Sequence, residues 1–260
     1  MIVARTVADV REALVDRRGG TVGLVPTMGA LHAGHLALLE AARGRCDTVV
    51  MSLFVNPAQF GEPADLNGYP RDEHRDLDAA REAGVDVVFA PSAAEMYPPG
   101  YQTWVEVTEL GAILEGEHRP GHFRGVATVC LKLFNAVRPN LAFYGRKDAQ
   151  QVAVLRRMVA DLNLELELVV VPTVRDTDGL ALSSRNVRLS AEERARALAL
   201  PRALATADPE TARAILEAAG LHVEYVAVAP FDPPTLAAAV RVGSTRLIDN
   251  VPLEPRKEES

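Results

Sequence analysis

Residues 21–43 read TVGLVPTMGALHAGHLALLEAAR, and three local chemistries follow one another inside that stretch. Thr21–Val25 is a short β-rich run. Pro26–Gly34 carries one proline, two glycines and a histidine, and His35–Arg43 sets leucine and alanine at helical spacing. A strand therefore feeds a tight loop, and the loop opens a helix. His32 and His35 lie three residues apart and share a face of the first helical turn. They stand beside N–H groups that a helix N-terminus leaves unpaired and that favour anions. The arrangement suits phosphate chemistry.

Outward from that stretch, strands alternate with helices. Ile2–Ala4 reads as a strand, followed by a helix over Val7–Arg17. Asp47–Val55 is a near-continuous apolar run, as expected for a strand buried on both faces of a parallel sheet. Asp65–Arg71 reads as polar, turn-rich and mobile, and Arg71–Ala83 as a charged helix. Val85–Ala90 is the next strand, Pro91–Gly100 a loop and Thr103–Thr108 a short strand. GEHRPGHFRG (116–125) is rich in glycine, histidine and arginine and leads into a helix over Val126–Val137. Leu141–Tyr144 is a strand, Gly145–Gln151 a polar turn opening a helix to Asp161, and Glu165–Val171 a strand. Pro172–Asn186 is a long polar loop.

This alternation predicts an α/β fold, a Rossmann-like parallel sheet with right-handed crossovers. Ligands of such sheets bind at the carboxyl ends of the strands. Four polar clusters follow strands: His32/His35, Asn56/Gln59, Lys147/Asp148/Gln151 and Ser183/Ser184/Arg185. From Ser190 onward the pattern changes. Ser190 and Glu193 have capping-box spacing, Asp208-Pro209 opens another helix, and strands are expected at Glu224–Ala229, Ala237–Val242 and Arg246–Ile248. The expectation is a catalytic domain over residues 1–188 and a small α+β domain over 189–260, with a charged, disordered tail at Glu254–Ser260.

The 260 residues, 48% hydrophobic and 24% charged, are ordinary for a globular chain with a real core. Net charge is 28 − 35 = −7, which speaks against non-specific binding to a nucleic-acid backbone. Cys46 and Cys130 have neither disulfide-framework nor metal-ligand spacing, which fits a reduced cytoplasmic setting. The N-terminus lacks the features of a signal peptide. No apolar run approaches the about 20 residues that span a membrane.

A histidine pair in a glycine loop between strand and helix points to function rather than packing. Zinc ligation is disfavoured, since no HExxH-type glutamate separates the two and no cysteine is near. Imidazoles there would stabilise charge developing on a phosphate. Lys147 and Asp148 read equally as a helix start with a solvated lysine or as ligands of a phosphate and a sugar hydroxyl. Ser183-Ser184-Arg185 is either a turn or two hydroxyls and a guanidinium fork suited to polyphosphate. Gln59 and Gln151 suit a polar substrate, although each alone reads as surface. Asp176 and Asp178 read as a solvated loop rather than a metal site, and Cys130 and Trp104 as packing. The chain has neither a GxxxxGK[ST] loop nor a GxGxxG after its first strand.

PTMGALHAGH (26–35) resembles the HxGH signature of the nucleotidylyltransferase superfamily. FVNPAQF (54–60), YPRD (69–72), RPGHFRGVATV (119–129), GRKDAQQ (145–151), DGLALSSRN (178–186) and TRLIDN (245–250) occur in the order found in the pantothenate synthetase family, so that the resemblance runs from about residue 2 to 252. It implies ATP-dependent joining of pantoate to β-alanine through pantoyl adenylate, with Mg²⁺ carried on the ATP phosphates and no residue singled out as its ligand. Residue by residue, it implies that Met28, Gly29, Ala30, Leu31, His32, Ala33, Gly34 and His35 contact ATP, with His35 the proton donor and His32 assisting. Gly145, Arg146, Lys147 and Asp148 bind nucleotide, Lys147 on phosphate and Asp148 on ribose. Val174 lies by the adenine, and Leu182, Ser183, Ser184 and Arg185 form the second phosphate loop. Gln59, Gln151 and Asn56 take the pantoate and β-alanine side. A homodimer and a C-terminal lid are also implied.

Two departures stand out. Arg146 replaces the family's usual glutamate, and the region from Leu200 to Ile248 is shorter than usual. A different HxGH nucleotidylyltransferase would want extra basic residues for its acceptor. A non-catalytic nucleotide-binding relative would have lost the histidines or the lysine.

Overall fold

The computed structural model describes residues 1–61 and 63–253. It divides into two compact units. The first takes Met1–Gly145 and Gln150–Val171, and the second takes Arg146–Ala149 and the chain from Pro172 onward.

The first unit holds six strands: β1 (Ile2–Ala4), β2 (Val22–Thr27), β3 (Thr48–Leu53), β4 (Val87–Phe89), β5 (Leu141–Gly145) and β6 (Glu167–Val171). They form one sheet in the order β1-β4-β3-β2-β5-β6, and every neighbouring pair is parallel. Five successive residues of β3, Thr48 to Ser52, are buried, because helices cover both faces of the sheet. On one face Val25, Val49, Met51 and Phe143 pack with Leu38, Leu39 and Ala42 of α2 (Ala33–Arg43). On the other, Leu24, Val50 and Phe89 join Val10 of α1 (Val7–Ala13) and the long apolar face of α7 (His122–Val137). The chain builds outward from β2 through β3 to β4 and then returns to set β5 on the other flank of β2. The strand order therefore reverses between β2 and β5, where open parallel sheets bind ligands.

Several local expectations need correction. Asp65–Arg71 is not simply turn-rich, because it overlaps a short helix, α3 (Pro63–Asn67), whose first turn holds the favourable Asp65. The charged helix is α4 (Glu73–Glu82), and Pro91–Gly100 contains one turn of helix, α5 (Ala93–Met96). Thr103–Thr108 is not a strand. Its Val105 N–H is taken by the Thr128 hydroxyl at 3.0 Å rather than by a ladder partner. GEHRPGHFRG spans most of α6 (Glu115–His118) and the first turn of α7, which begins at His122 and not at Val126. Trp104 is 43% exposed and stacks on Tyr97, with the Arg124 guanidinium 5.2 Å from its ring.

Helix α8 (Ala149–Asp161) follows the turn after β5. In the second unit, α9 (Ala191–Ala197), α10 (Ala199–Leu204) and α11 (Pro209–Ala218) cover a three-stranded antiparallel sheet, β7 (His222–Ala229), β8 (Thr235–Val242) and β9 (Thr245–Pro252), in that order. Leu200, Leu204 and Leu216 pack on Leu236, Ala238 and Val240. The expected caps are formed: Ser190 and Glu193 cap each other's backbone, and Asp208 caps α11. Glu224 of β7 takes Arg241 and Arg246 at 2.7 and 2.6 Å. Burial alone would raise its carboxyl, but those two guanidinium groups outweigh burial and hold it below the usual glutamate range.

The division between the units falls at residues 171 and 172, ahead of the boundary expected near 188. The loop after β6 belongs with the second unit because it is tied there. Arg175 bridges to Ala181 and pairs with Asp249 of β9, while Arg194 of α9 grips Asp176 and Asp178. The charged segment Glu254–Ser260 lies outside the described residues.

Candidate active site

The loop between β2 and α2 is the best-defined part of the site. His32 is the N-cap of α2, and its Nδ1 accepts the Gly34 N–H at 3.1 Å. Nδ1 of His35 accepts the His32 N–H at 3.3 Å. The two rings thus form a reciprocal capping box, a job that Ser or Thr and Glu usually share. Their centroids lie 4.1 Å apart. Since both Nδ1 atoms accept, the neutral rings carry their hydrogens on Nε2. Each histidine is a donor at a fixed nitrogen.

The loop is shaped by a residue from α4. Asp76, only 2% exposed, accepts the Ala30 N–H at 2.9 Å and the Leu31 N–H at 2.8 Å. Gly29 and Ala30 both take positive φ, +82° and +52°. A Cβ at Gly29 would stand 2.7 Å from Asp76 Oδ2, so only glycine lets the carboxylate approach.

The turn after β3 leans on the same loop. Gln59 donates from Nε2 to Met28 Sδ at 3.2 Å. Asn56 donates to Gln59 Oε1 at 2.9 Å and to the Gly125 carbonyl at 3.2 Å. Its Oδ1 accepts from the Tyr97 hydroxyl and the Ala58 N–H. Two donors and two lone pairs are the full capacity of an asparagine, and Asn56 is 1% exposed. Asn56 therefore orients Gln59, the residue beside which the sequence places it. His122 supports the same turn. Arg119 can only donate, so its contact with His122 Nε2 at 3.1 Å makes that nitrogen an acceptor, and Nδ1–H donates to the Gln59 carbonyl at 2.9 Å. Gly125 lets α7 come this close, since a Cβ there would lie 2.3 Å from the Ala58 carbonyl oxygen.

Of the remaining expected residues in the first unit, Gly145 ends β5, the strand beside β2. Gln151 is half-buried on α8. Its neighbour Gln150 is buried and structural: it accepts the Glu115 N–H and donates to the carbonyls of Leu110 and Ile113.

The second unit carries the other set. Arg146, Lys147 and Asp148 form a single 3-10 turn, with Lys147 and Asp148 3.4 Å apart. Val174 accepts the Leu182 N–H at 3.0 Å, which closes the neck of the 174–182 loop. Ser183 caps the following turn by accepting the Arg185 N–H, and Ser184 and Arg185 stand in that turn. Asp176 and Asp178, expected in a solvated loop, remain accessible to water and hold Arg194 at 2.6 and 2.8 Å. Among the described residues no cluster of three or more His, Cys, Asp or Glu is placed to hold a metal ion. Nor is any helix long and apolar enough to cross a membrane.

Sequence reasoning passed over Asp76, His122, Asp249 and Asn250. Asp76 sits in RDEHRDLD, where it looks like any solvated helix charge. His122 and the Asp249-Asn250 pair lie in the quoted motifs RPGHFRGVATV and TRLIDN, and that placement was the available signal.

The chain matches the Pantoate-beta-alanine ligase family over residues 2–252. It is 48% identical to a pantothenate synthetase of Pelotomaculum thermopropionicum over 276 aligned residues, covering 96% of this chain and 98% of the relative. It is 52% identical to that of Chloroflexus aurantiacus, covering 98% and 99%. An alignment of 276 positions exceeds 260, so the Pelotomaculum relative carries residues that this chain lacks. A crystal structure of pantothenate synthetase from Thermus thermophilus superposes with a TM-score of 0.92 at 46% identity, covering 98% of this chain and all of that one. A pantoate-β-alanine ligase from Francisella tularensis, crystallised with β-γ ATP and β-alanine, superposes with a TM-score of 0.87 at 36% identity, covering 96% and 97%. Sequence motifs, sheet topology and whole-chain likeness agree: the chain belongs to the pantoate-β-alanine ligase family.

Proposed function

We propose that the chain condenses pantoate with β-alanine at the expense of ATP, giving pantothenate, AMP and pyrophosphate through a pantoyl adenylate. A carboxylate has no good leaving group, and adenylation supplies one. In the first step a pantoate carboxylate oxygen attacks the α-phosphorus, and the bond to pyrophosphate breaks. In the second the β-alanine amine attacks the acyl carbon, AMP leaves, and the amine gives up a proton. Charge neutralisation governs the first step, and positioning of the amine governs the second.

The observation that carries this reading is the reciprocal histidine cap at the strand-order reversal, which fixes two Nε2–H donors beside a helix N-terminus. His35 is assigned the proton donation and His32 the phosphates, along with the backbone of Met28, Gly29, Ala30, Leu31, Ala33 and Gly34. Lys147 takes a phosphate, Asp148 the ribose, Val174 the adenine, and Leu182 to Arg185 the polyphosphate, with magnesium arriving as part of the nucleotide substrate. Gln59 and Gln151 hold pantoate, and Asn56 holds Gln59. The second unit is assigned the lid role implied by the family resemblance. A homodimer in the cytoplasm completes the reading, and two buried unpaired thiols fit a reducing compartment.

The test is an ATP assay with pantoate, with and without β-alanine. Pyrophosphate release with pantoate alone, and AMP release only after β-alanine is added, is the expected result. Absence of pantoate-dependent pyrophosphate overturns the reading.

A further inference from the structure

Two consecutive residues of β9 each hold a different segment assigned to the nucleotide. Asp249, 2% exposed, takes Arg175 in a two-pronged ion pair at 2.6 and 3.1 Å. Arg175 also donates to the Gly179 carbonyl and bridges to Ala181, so this pair fixes the stem of the loop that leads to Leu182–Arg185. Asn250, 5% exposed, donates from Nδ2 to the carbonyls of Arg146 at 3.0 Å and Lys147 at 2.8 Å. Successive side chains of a strand point to opposite faces, so neighbouring residues can reach two separate segments. Oδ1 of Asp249 also accepts the Asn250 N–H at 2.8 Å, which ties the two anchors together.

The placement is unusual for a scaffold residue. On β9 the buried alternation runs Thr245, Leu247, Asp249, so an acid sits where the sheet would bury a hydrophobic side chain. Buried charges survive when they are paired and hydrogen-bonded, and the partner here, Arg175, lies in the stem that leads to the second phosphate loop. Asn250 spends both of its N–H donors on the turn that presents Lys147 and Asp148. A scaffold needs neither contact to keep the β7–β9 sheet on its helices, where Leu200, Leu204 and Leu236 supply the packing.

We infer that Asp249 and Asn250 are positioning residues for the nucleotide: together they set the spacing between the Arg146–Asp148 turn and the Leu182–Arg185 loop. This rests on the assignment of both segments to ATP. It gives TRLIDN a role in substrate binding exerted entirely through other residues.

Asn250→Asp is the sharpest probe, because it keeps the shape and replaces the amide donor by a carboxylate facing two carbonyl oxygens. Arg175→Lys is the second, because it keeps the charge and loses the fork. Each variant is measured for KM of ATP, pantoate and β-alanine, for kcat at saturating ATP, for melting temperature, and for amide hydrogen exchange over 146–148 and 175–185. The expected result is a rise of about tenfold in the KM for ATP, as for loss of a buried hydrogen-bonded anchor. The KM values for pantoate and β-alanine and the kcat stay near wild type, and exchange quickens in both segments. A fall in kcat with unchanged KM for ATP would mean only a smaller folded fraction and overturns the inference. So does wild-type protection of both segments in Asn250→Asp. Should that variant not fold, Arg175→Lys alone decides by the same readouts. If the unmodified chain shows no pantoate-dependent turnover, the proposed function fails, and the exchange data still decide whether β9 sets the two segments.

Discussion

Asp76→Asn isolates what holds the 29–31 loop. The carboxylate receives two backbone N–H groups, at 2.9 and 2.8 Å, in a place that water barely reaches. Asparagine keeps one oxygen for one of them and turns an amide N–H toward the other, so one charge-assisted bond is lost and one buried N–H is stranded. A hydrogen bond to a charged group contributes about 1.5–3 kcal/mol, and an unsatisfied buried donor costs a similar amount. Taking the two as overlapping views of one loss gives about 3 kcal/mol. At about 2–4 °C per kcal/mol for a protein of this size, the melting temperature should fall by about 6–12 °C. The loop is also held against its own preference, since Ala30 sits at φ +52°, a conformation that costs an L-residue about 1–2 kcal/mol. Released from Asp76, it should relax, and the KM for ATP should rise along with the loss of stability. Thermal unfolding followed by circular dichroism, together with pyrophosphate release at varied ATP, measures both. A variant with the melting temperature and ATP KM of the wild type would refute the account of this loop.

Other outcomes follow from the same contacts. His35→Ala should slow pantoate-dependent pyrophosphate release by about 10²-fold or more, the scale of general-acid catalysis, while removing one capping contact costs only about 1 kcal/mol of stability; wild-type turnover would end the proton-donor assignment. Gly125→Ala should drive a methyl into the Ala58 carbonyl, displace Gln59 and raise the KM for pantoate, with a stability loss of about 1–3 kcal/mol from overpacking; an unchanged KM would show that Gln59 does not depend on that approach. Glu224 is held below its ordinary value in the folded protein, so its contribution is fully present above the unfolded glutamate value and is lost as pH falls through the folded one. Glu224→Gln should accordingly flatten the acid side of the stability–pH curve, read by urea unfolding at stepped pH, and an acid limb parallel to wild type would contradict the arginine pairing.

The parallel sheet was legible because burial on both faces writes itself into the chain as uninterrupted apolar runs such as TVVMSL. The helix starts were legible because caps are local: Ser190 with Glu193, and Asp208 before Pro209, behave in the structure as their spacing implies. Thr103–Thr108 shows the limit. Its alternation is strand-like, but a strand needs a neighbour with open N–H and C=O groups, and the threonine on α7 supplied a partner first. The site divides along the same line. Residues on the loops after β2 and β3 announce themselves by glycine, proline and histidine in a short span. Residues that act from another element do not, because Asp76 is meaningful only once α4 is laid beside the β2–α2 loop. Asn56 is the converse case, polar and well placed in the sequence, yet wholly occupied by its neighbours.

The histidine cap of α2 separates what keeps the chain folded from what makes it useful. A serine at position 32 caps a helix at least as well as an imidazole ring does, so His32→Ser should leave unfolding almost untouched while removing an Nε2 donor. Selection for heat resistance alone would therefore accept that substitution, and so would any design procedure that ranks sequences by how well they suit the backbone. The loss would surface only when turnover is measured. On the role proposed for His32, the imidazole answers to the demand for chemistry, and thermal robustness says nothing about whether that demand is met.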